Sequence, residues 1–276
     1  MAATKIEWAD AVWNPITGCT PVSEACDNCY AKRMANRLAG RYGYPADDPF
    51  RVTFHPDKLD EPLRWKKPRR IFVCSMGDLF HEDVKKDWID SVWSTMAEAR
   101  QHTFQVLTKR PERMREYILD RKRKGWKPDC NNIWLGVTAE NQARVNERIP
   151  ILLQIPAAVR FVSIEPMLGP VDLTDIVIKR QVGEDHIDVL RCDVDPADDL
   201  YHGSTLDWVI CGGETGPGAR PMHPDWVRSL RDQCLEAHVP FFFKGWGRWI
   251  QNPSSAGKRL LDGREWNEFP QRYGVV

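Results

Sequence analysis

No stretch of the 276-residue chain is apolar for long enough to span a bilayer. The opening residues, MAATKIEWAD, lack the apolar core of a secretory signal. These two absences predict a cytoplasmic protein with no membrane among its partners. Net charge is absent as well, because 39 Lys and Arg balance 39 Asp and Glu. A chain that is neutral overall has no general pull on nucleic acid, so any hold on phosphate has to be local. Neither a sequence repeat nor a linker-like segment is visible, which favours one elaborated domain over residues 1–276. In the cytoplasm, eight cysteines are not expected to form a disulfide framework. Some are then buried as small apolar residues, and others are free to act as ligands.

What is present is the composition of a soluble globular chain, 42% hydrophobic and 28% charged. Charge is unevenly spread. Residues 64–70 read RWKKPRR and residues 109–127 read KRPERMREYILDRKRKGWK, whereas 184–199 are mostly acidic. The basic runs are either solvated helix surface or a local face for phosphates. The twelve tryptophans are expected mainly in packing, although several border the loops described next.

Apolar, β-branched-rich runs recur at 71–74, 103–107, 133–137, 159–164, 208–211 and 239–243. They are nearly continuous, the pattern of strands covered on both faces in a parallel sheet. An earlier segment before Cys19 is a weaker candidate for a further strand. Helical spacing fills most of the intervals, over 84–100, 111–124, 141–153 and 224–237. The last opens on Pro224 in its first turn. Strand and helix repeat at roughly 30 residues, the length of a βα unit, so the chain is α/β. The interval 168–206 is too long for one crossover. Its runs 176–179 and 187–192, around Gly183-Glu184-Asp185, predict an inserted β-hairpin. Residues 246–276 form a C-terminal extension, with another short β-turn segment over 257–269.

Polar and glycine residues gather just after the strand runs: Ser75, Met76, Gly77 and Asp78; Thr108, Lys109 and Arg110; Thr138, Ala139, Glu140 and Asn141; Glu165 with Pro166 and Met167; Gly212, Gly213 and Glu214; Lys244, Gly245 and Trp246. The carboxyl ends of parallel strands build the active site in barrels and open sheets. If the sheet curls, these groups meet at one mouth.

Residues 18–33 read GCTPVSEACDNCYAKR. Cys26 and Cys29 stand two residues apart, so both can face one metal from a tight turn. Cys19 lies six residues before Cys26. Three thiolates suit either a zinc site that takes a fourth ligand elsewhere, from His55, His81 or Cys74, or a 4Fe–4S cluster with one iron open.

This arrangement resembles the radical S-adenosylmethionine (SAM) superfamily, in which three cysteines follow the first barrel strand, hold a 4Fe–4S cluster and precede a helix. The usual gap between the first two cysteines there is three residues; here it is six. The aromatic residue falls after the last cysteine, at Tyr30. A resemblance covering nearly the whole chain is carried by WNPITGC…CDNCYA, SMGDLF, FQVLTKRP, IWLGVTAEN, FVSIEPMLGPVDL, WVICGGETGPGARPM, PFFFKGWG and LLDGREWNEFP. These blocks are similar to a phage-associated three-cysteine family of unknown function that is radical-SAM-like.

The resemblance implies a partial (β/α) barrel of radical SAM type, similar to a TIM barrel, in which SAM chelates the open iron and yields a 5′-deoxyadenosyl radical. It implies that Ser75, the Met76 carbonyl, Gly77 and Asp78 receive the SAM amino group, with helix capping as the alternative for Asp78. Lys109 and Arg110 are candidates for the SAM carboxylate. Thr138, Glu140 and Asn141 are candidates for the ribose, although Asn141 can equally cap the next helix. Glu165 is expected in the mouth, paired with Arg110 or Lys244 because a carboxylate there is costly alone. Gly212 and Gly213, before Glu214, permit close backbone approach to a ligand or simply make a tight turn. His81 reads as a surface or capping residue. Lys244 and Trp246 either contact substrate or close the barrel.

The function implied is a radical SAM enzyme that modifies or repairs a nucleic acid or nucleotide, served by an electron-donor protein. The alternatives are a phage nucleic-acid-binding module stapled by zinc or a cluster, and a SAM-independent redox or repair protein.

Overall fold

A computed structural model describes residues 4, 6–125, 131–179, 183–191, 204–248 and 259–271. Seven strands form one parallel sheet: β1 (Ala11–Trp13), β2 (Arg70–Val73), β3 (Thr103–Thr108), β4 (Ile133–Thr138), β5 (Arg160–Ile164), β6 (Trp208–Gly212) and β7 (Phe241–Gly245). Their order in space is their order in the chain, and every neighbouring pair is parallel. Helices α1 (Tyr30–Arg37), α2 (Lys86–Glu98), α3 (Pro111–Arg123), α4 (Gln142–Leu153) and α5 (Pro224–Glu236) fall between strands.

The strands alternate between two apolar layers, as a period of two requires. Ile71, Val73, Phe104, Val106, Leu135, Val137, Val162, Ile164, Val209, Cys211, Phe241 and Phe243 face one large core shared with the helices. Phe72, Leu107, Trp134, Phe161, Trp208, Ile210 and Phe242 face the other side and surround Trp8. Burial on both faces is why these runs read as continuously apolar.

The inner layer shows that the sheet curls. The Trp8 ring lies 4.6 Å from Phe72 on β2 and 6.2 Å from Trp208 on β6. In a flat sheet those strands would stand about 19 Å apart, at roughly 4.8 Å per strand, so one side chain reaches both only if the sheet is a half-barrel. Phe269 of the C-terminal segment fills the same lumen, 5.3 Å from both Trp208 and Phe242, and Arg70 lies over its ring at 4.1 Å. Segments flanking the sheet on both sides therefore pack its concave face.

The expected inserted hairpin is present, as Ile176–Lys179 against Glu184–Ile187. Its second strand begins directly after Gly183, whose φ of +82° turns the chain, and so lies earlier than the apolar run at 187–192 suggested. In the C-terminal extension, Leu260–Leu261 pairs with Arg264–Glu265 around Asp262 and Gly263. Both turn residues have positive φ, the geometry of a tight hairpin turn. The chain then runs along the free edge of β7, where the Phe243 amide donates to the Trp266 carbonyl at 2.8 Å.

Two elements escape local reading. Strand β1 has only three residues and gains its place by pairing with β2. Helix α1, implied only by the cysteine resemblance, averages strongly polar and buries only Ala31 and Ala35. Among the described residues, no helix is long and apolar enough to cross a membrane.

Candidate metal centre at the mouth of the half-barrel

The loop carrying the cysteines leaves β1 and crosses the carboxyl ends of the strands. It starts against the turn after β2. The Gly18 amide donates to the Met76 carbonyl at 2.9 Å, and Gly18 pairs with Gly77 as an isolated parallel bridge. A Cβ on Gly77 would stand 2.8 Å from the Gly18 carbonyl oxygen, so glycine is what allows the two segments to touch. Asn14 Oδ1 accepts from the Met76 amide at 3.0 Å and from Ser75 Oγ at 3.2 Å. Ser75, Met76 and Gly77 thus form the bed of the cysteine loop.

Cys19, Cys26 and Cys29 are half-buried free thiols. Cys29 also caps α1, its Sγ accepting from the Lys32 amide at 3.5 Å. Cys19 Sγ accepts from Arg110 Nη1 at 3.4 Å. Burial, and then the Asp78 charge, push the Cys19 thiol up to about 11, while Arg110 opposes them and Cys26 adds to the rise. The other described cysteines behave differently. Cys74, Cys211 and Cys234 are buried, and burial holds each thiol well above its ordinary range. Cys130 and Cys192 lie outside the described residues.

Arg110 is the hub on this side. Its Nε donates to Glu82 at 2.7 Å, its Nη1 to Asp78 at 3.3 Å and its Nη2 to the Thr20 carbonyl and hydroxyl at 3.2 and 3.1 Å. Burial works against the guanidinium charge, but Glu82 and Asp78 outweigh it and raise the Arg110 pKa. Asp78 is itself buried and fully engaged. Its oxygens accept from the Phe80 amide at 2.9 Å, Thr108 Oγ1 at 2.7 Å, the Lys109 amide at 3.2 Å and Arg110. It ties β2 to β3, and it caps no helix, since α2 opens at Lys86 behind Lys85. The half-buried Lys109 ammonium makes no hydrogen bond to any described residue.

The opposite rim is clamped just as fully. Arg144 Nη2 donates to Glu24 at 3.0 Å, and Asn141 Nδ2 donates to the same carboxylate while Asn141 Oδ1 caps α4. Glu140 is completely buried and accepts from Arg148 at 3.0 Å; Arg148 also bonds the Thr138 carbonyl at 2.9 Å. From the end of β6, Glu214 Oε2 accepts from Asn28 at 3.0 Å and from Arg220 Nε at 3.0 Å, and Arg220 reaches the Glu24 carbonyl at 2.8 Å. Arg33 donates to the Thr215 carbonyl at 3.0 Å. Glu165 pairs with Lys244, not Arg110. The space a Cβ would need on Gly212 is bordered by the Glu165 and Lys244 side chains, and on Gly213 it is filled by the Trp246 carbonyl. The close approach those glycines permit is therefore made by the chain itself.

Glu24 and Glu82 make these clamps sensitive to acid. The Glu24 pKa is drawn down to about 2 by its own amide, against burial, and by Asn141 and Arg144. Glu82 is drawn down to about 2, first by Arg110. A carboxylate depressed by folding contributes stability that is complete above its unfolded pKa, near 4.5, and is lost as pH falls toward the folded value. The thermal midpoint is therefore expected to fall between pH 4.5 and pH 2, and to fall less in the Glu24→Gln, Glu82→Gln double variant.

The described side chains do not gather a ready-made site for a single ion. Among the described residues, no three His, Cys, Asp or Glu side chains converge closely enough to hold one metal ion. A tetrahedral zinc with sulfur at about 2.3 Å draws its ligand sulfurs to within about 4 Å of one another. The three candidates for a fourth zinc ligand are also engaged: His55 Nε2 with Thr17 at 2.8 Å, and His81 Nε2 with Thr20 at 2.8 Å, while Cys74 is buried beside Ile16. Cysteines of a 4Fe–4S cluster bind separate irons and stand further apart, and three of them suffice. Three half-buried thiols on one loop match the number of protein ligands such a cluster takes when one iron is open.

The basic run at 64–70 lies elsewhere. It precedes β2 and so occupies the amino-terminal end of the sheet, opposite the mouth; Arg70 there is paired with Asp10 at 2.8 Å. Helix α3 begins at the mouth with Pro111 and carries Arg121, Lys122 and Arg123 to that same far end. Residues that local reading missed, Glu24, Asn28, Arg144 and Arg220, are the clamps. Each acts on a partner more than a hundred residues away, apart from the local Arg220–Glu214 pair, and leaves no local signal.

A parallel (β/α) half-barrel with a three-cysteine loop clamped over its carboxyl mouth is an α/β barrel-like protein whose site is assembled from strand-end loops. The chain belongs to the family described as Protein of unknown function (DUF5131), whose family model matches residues 3–270. No curated protein and no solved structure matches it.

Proposed function

We propose that this protein is an iron–sulfur enzyme of radical SAM type, with Cys19, Cys26 and Cys29 holding a 4Fe–4S cluster whose fourth iron is open to SAM. The observation that carries the proposal is the position of the thiols: half-buried, spread along one clamped loop, and suspended over the carboxyl ends of a parallel half-barrel. Bound together, cluster and SAM would supply reductive cleavage of the sulfonium to methionine and a 5′-deoxyadenosyl radical, using one electron from the donor protein.

The chain's own residues hold and shield that chemistry. Arg110 donates to the Cys19 sulfur and, anchored by Asp78, Glu82 and Thr20, fixes that ligand. Lys109 offers an ammonium without a hydrogen-bond partner among the described residues, suited to the SAM carboxylate. The Met76 carbonyl already accepts from Gly18 and retains a second lone pair for the SAM amino group. Lys244 and Glu165 supply a charge pair on the inner face. Burial opposes the Lys244 charge, but Glu165 outweighs it and raises the pKa, so Lys244 is a fixed cation. The aromatic packing around Trp8 fills the lumen below and limits water entry from that end. The substrate is a nucleic acid or nucleotide, and reduction comes from an electron-donor protein in the cytoplasm.

The test is anaerobic reconstitution followed by electron paramagnetic resonance with and without SAM, and a search for 5′-deoxyadenosine after dithionite. The expected result is a cluster signal that SAM perturbs, together with nucleoside release. A colourless protein that retains stoichiometric zinc would defeat the proposal.

A further inference from the structure

The basic runs that stand out in the sequence lie mostly at the end of the barrel away from the mouth, yet a shorter basic segment adjoins the cysteines. Residues 30–46 read YAKRMANRLAGRYGYPA, with four Lys and Arg and no Asp or Glu, in a chain whose charges otherwise balance. Tyr30, Arg33, Arg37 and Arg41 follow one another at intervals of three, four and four residues. That spacing places Tyr30, Arg33 and Arg37 along one side of α1, and Arg41 continues the row beyond its end, where its Nη2 donates to the Arg37 carbonyl. Lys32, Arg37 and Arg41 are exposed, and none of the three forms an ion pair with a described residue. Arg33 is spent on the Thr215 carbonyl.

Two aromatic rings bracket this row. Tyr30 is 48% exposed and Tyr42 75% exposed, among the few large side chains on the surface that the core does not use. Tyr42 also has φ of +53°, a left-handed backbone that is uncommon and strained for a bulky residue. The fold gains no packing from holding that ring outward. At the other end, Tyr30 directly follows Cys29 in the loop over the strand ends, so the row starts at the mouth. From Tyr30 to Arg37 the helix spans about 10 Å, at 1.5 Å per residue.

The geometry points to the Tyr30–Arg37 side of α1 and the turn after it as a docking track for a single-stranded nucleic acid, with phosphates on Arg37 and Arg41 and bases stacked on Tyr42 and Tyr30. Cations flanked by exposed aromatic rings are the chemistry that binds a single strand without reading its sequence. A protein partner would have to present a matching acidic strip to a segment without Asp or Glu. The track deepens the proposed function, on which it rests for its purpose: it delivers one nucleotide of a strand to the mouth beside the cysteines.

The experiment is fluorescence anisotropy of the full chain with labelled oligonucleotides of mixed sequence, as single-stranded DNA, single-stranded RNA and duplex DNA, over a salt series. Single strands of at least one kind are expected to bind more tightly than duplex. The Arg37→Gln, Arg41→Gln double variant should lower the slope of log affinity against log salt by about 1.4, at roughly 0.7 per phosphate contact. Tyr42→Ala should weaken binding about 5- to 100-fold with the slope unchanged. Equal or tighter duplex binding, an unchanged slope in the double variant, or an unaffected Tyr42→Ala variant overturns the track. Iron content of the same samples is measured in parallel. Loss of the cluster with the oligonucleotide behaviour intact would sink the proposed chemistry and spare the track, and the reverse pattern would do the opposite.

Discussion

Replacing Cys26 with alanine is expected to abolish iron binding and leave the half-barrel folded. Cys26 ends a short turn whose amide bonds the Ser23 carbonyl at 2.9 Å, and this bond does not involve the thiol. The loop around it is held by Glu24 on Arg144, Asp27 on Arg220 and Asn28 on Glu214. None of these clamps passes through a cysteine side chain. The core that stabilises the fold, with Trp13, Trp93, Phe104, Phe161, Trp208 and Phe241 all fully buried, lies below the loop. Removing one thiol therefore removes a ligand of the proposed cluster while the fold keeps its support. Iron and sulfide analysis of the anaerobically reconstituted variant checks the first half, and the thermal midpoint by circular dichroism checks the second. A structural staple predicts the contrary result, in which loss of metal and loss of folded structure coincide. A variant that keeps its full iron complement would remove Cys26 from the ligand set.

Arg110→Met has the largest expected effect on stability. It leaves Asp78, only 5% exposed, without its cation. Breaking a buried charge pair by removing one partner costs about 3–5 kcal/mol, because the remaining charge stays desolvated. Asp78 keeps hydrogen bonds from Phe80, Thr108 and Lys109, which places the loss near the lower end, about 3 kcal/mol. Glu82 adds little, since its side chain is 61% exposed and water screens the charge that is left. Arg110→Lys should recover part of the loss, because an ammonium keeps the charge but cannot span Asp78, Glu82, Thr20 and Cys19 at once. Denaturant titration of the three proteins measures these differences, and a change below about 1 kcal/mol in Arg110→Met would show that the network is dispensable. In the reconstituted protein the same substitution should shift the cluster potential to more negative values, because a ligand sulfur loses its cationic donor. Potentiometric titration followed by electron paramagnetic resonance reads that shift separately from stability.

Much of this architecture was written in local pattern. Nearly continuous apolar runs mark β2 to β7 because each strand is buried on both faces, and burial on both faces removes the alternation. Helices α2 to α5 were visible in spacing and in their opening residues, Pro111, Asn141 and Pro224, since capping is decided within a turn. The cysteine spacing was likewise local, and so was the grouping of three thiols in one short segment. Strand β1 was barely visible, because three residues carry little periodicity and pairing with β2 decides their conformation.

What the tertiary structure alone decided is the use of the charged residues. Asp78, Arg110, Glu140, Asn141 and Glu165 all stood out as polar groups at strand ends. Nothing in their neighbourhoods says that Asp78 is consumed by Thr108 and Arg110, that Glu140 belongs to Arg148, or that Glu165 takes Lys244 rather than Arg110. Nor does the sequence say that the basic run at 64–70 faces away from the mouth. The reason is geometric. Apolar periodicity and capping act between residues a few positions apart, and the chain carries that information along its length. Ion pairs form between loops that meet only when seven strands curl into a half-barrel, and the curl is set by the packing around Trp8 rather than by any residue that carries the charge.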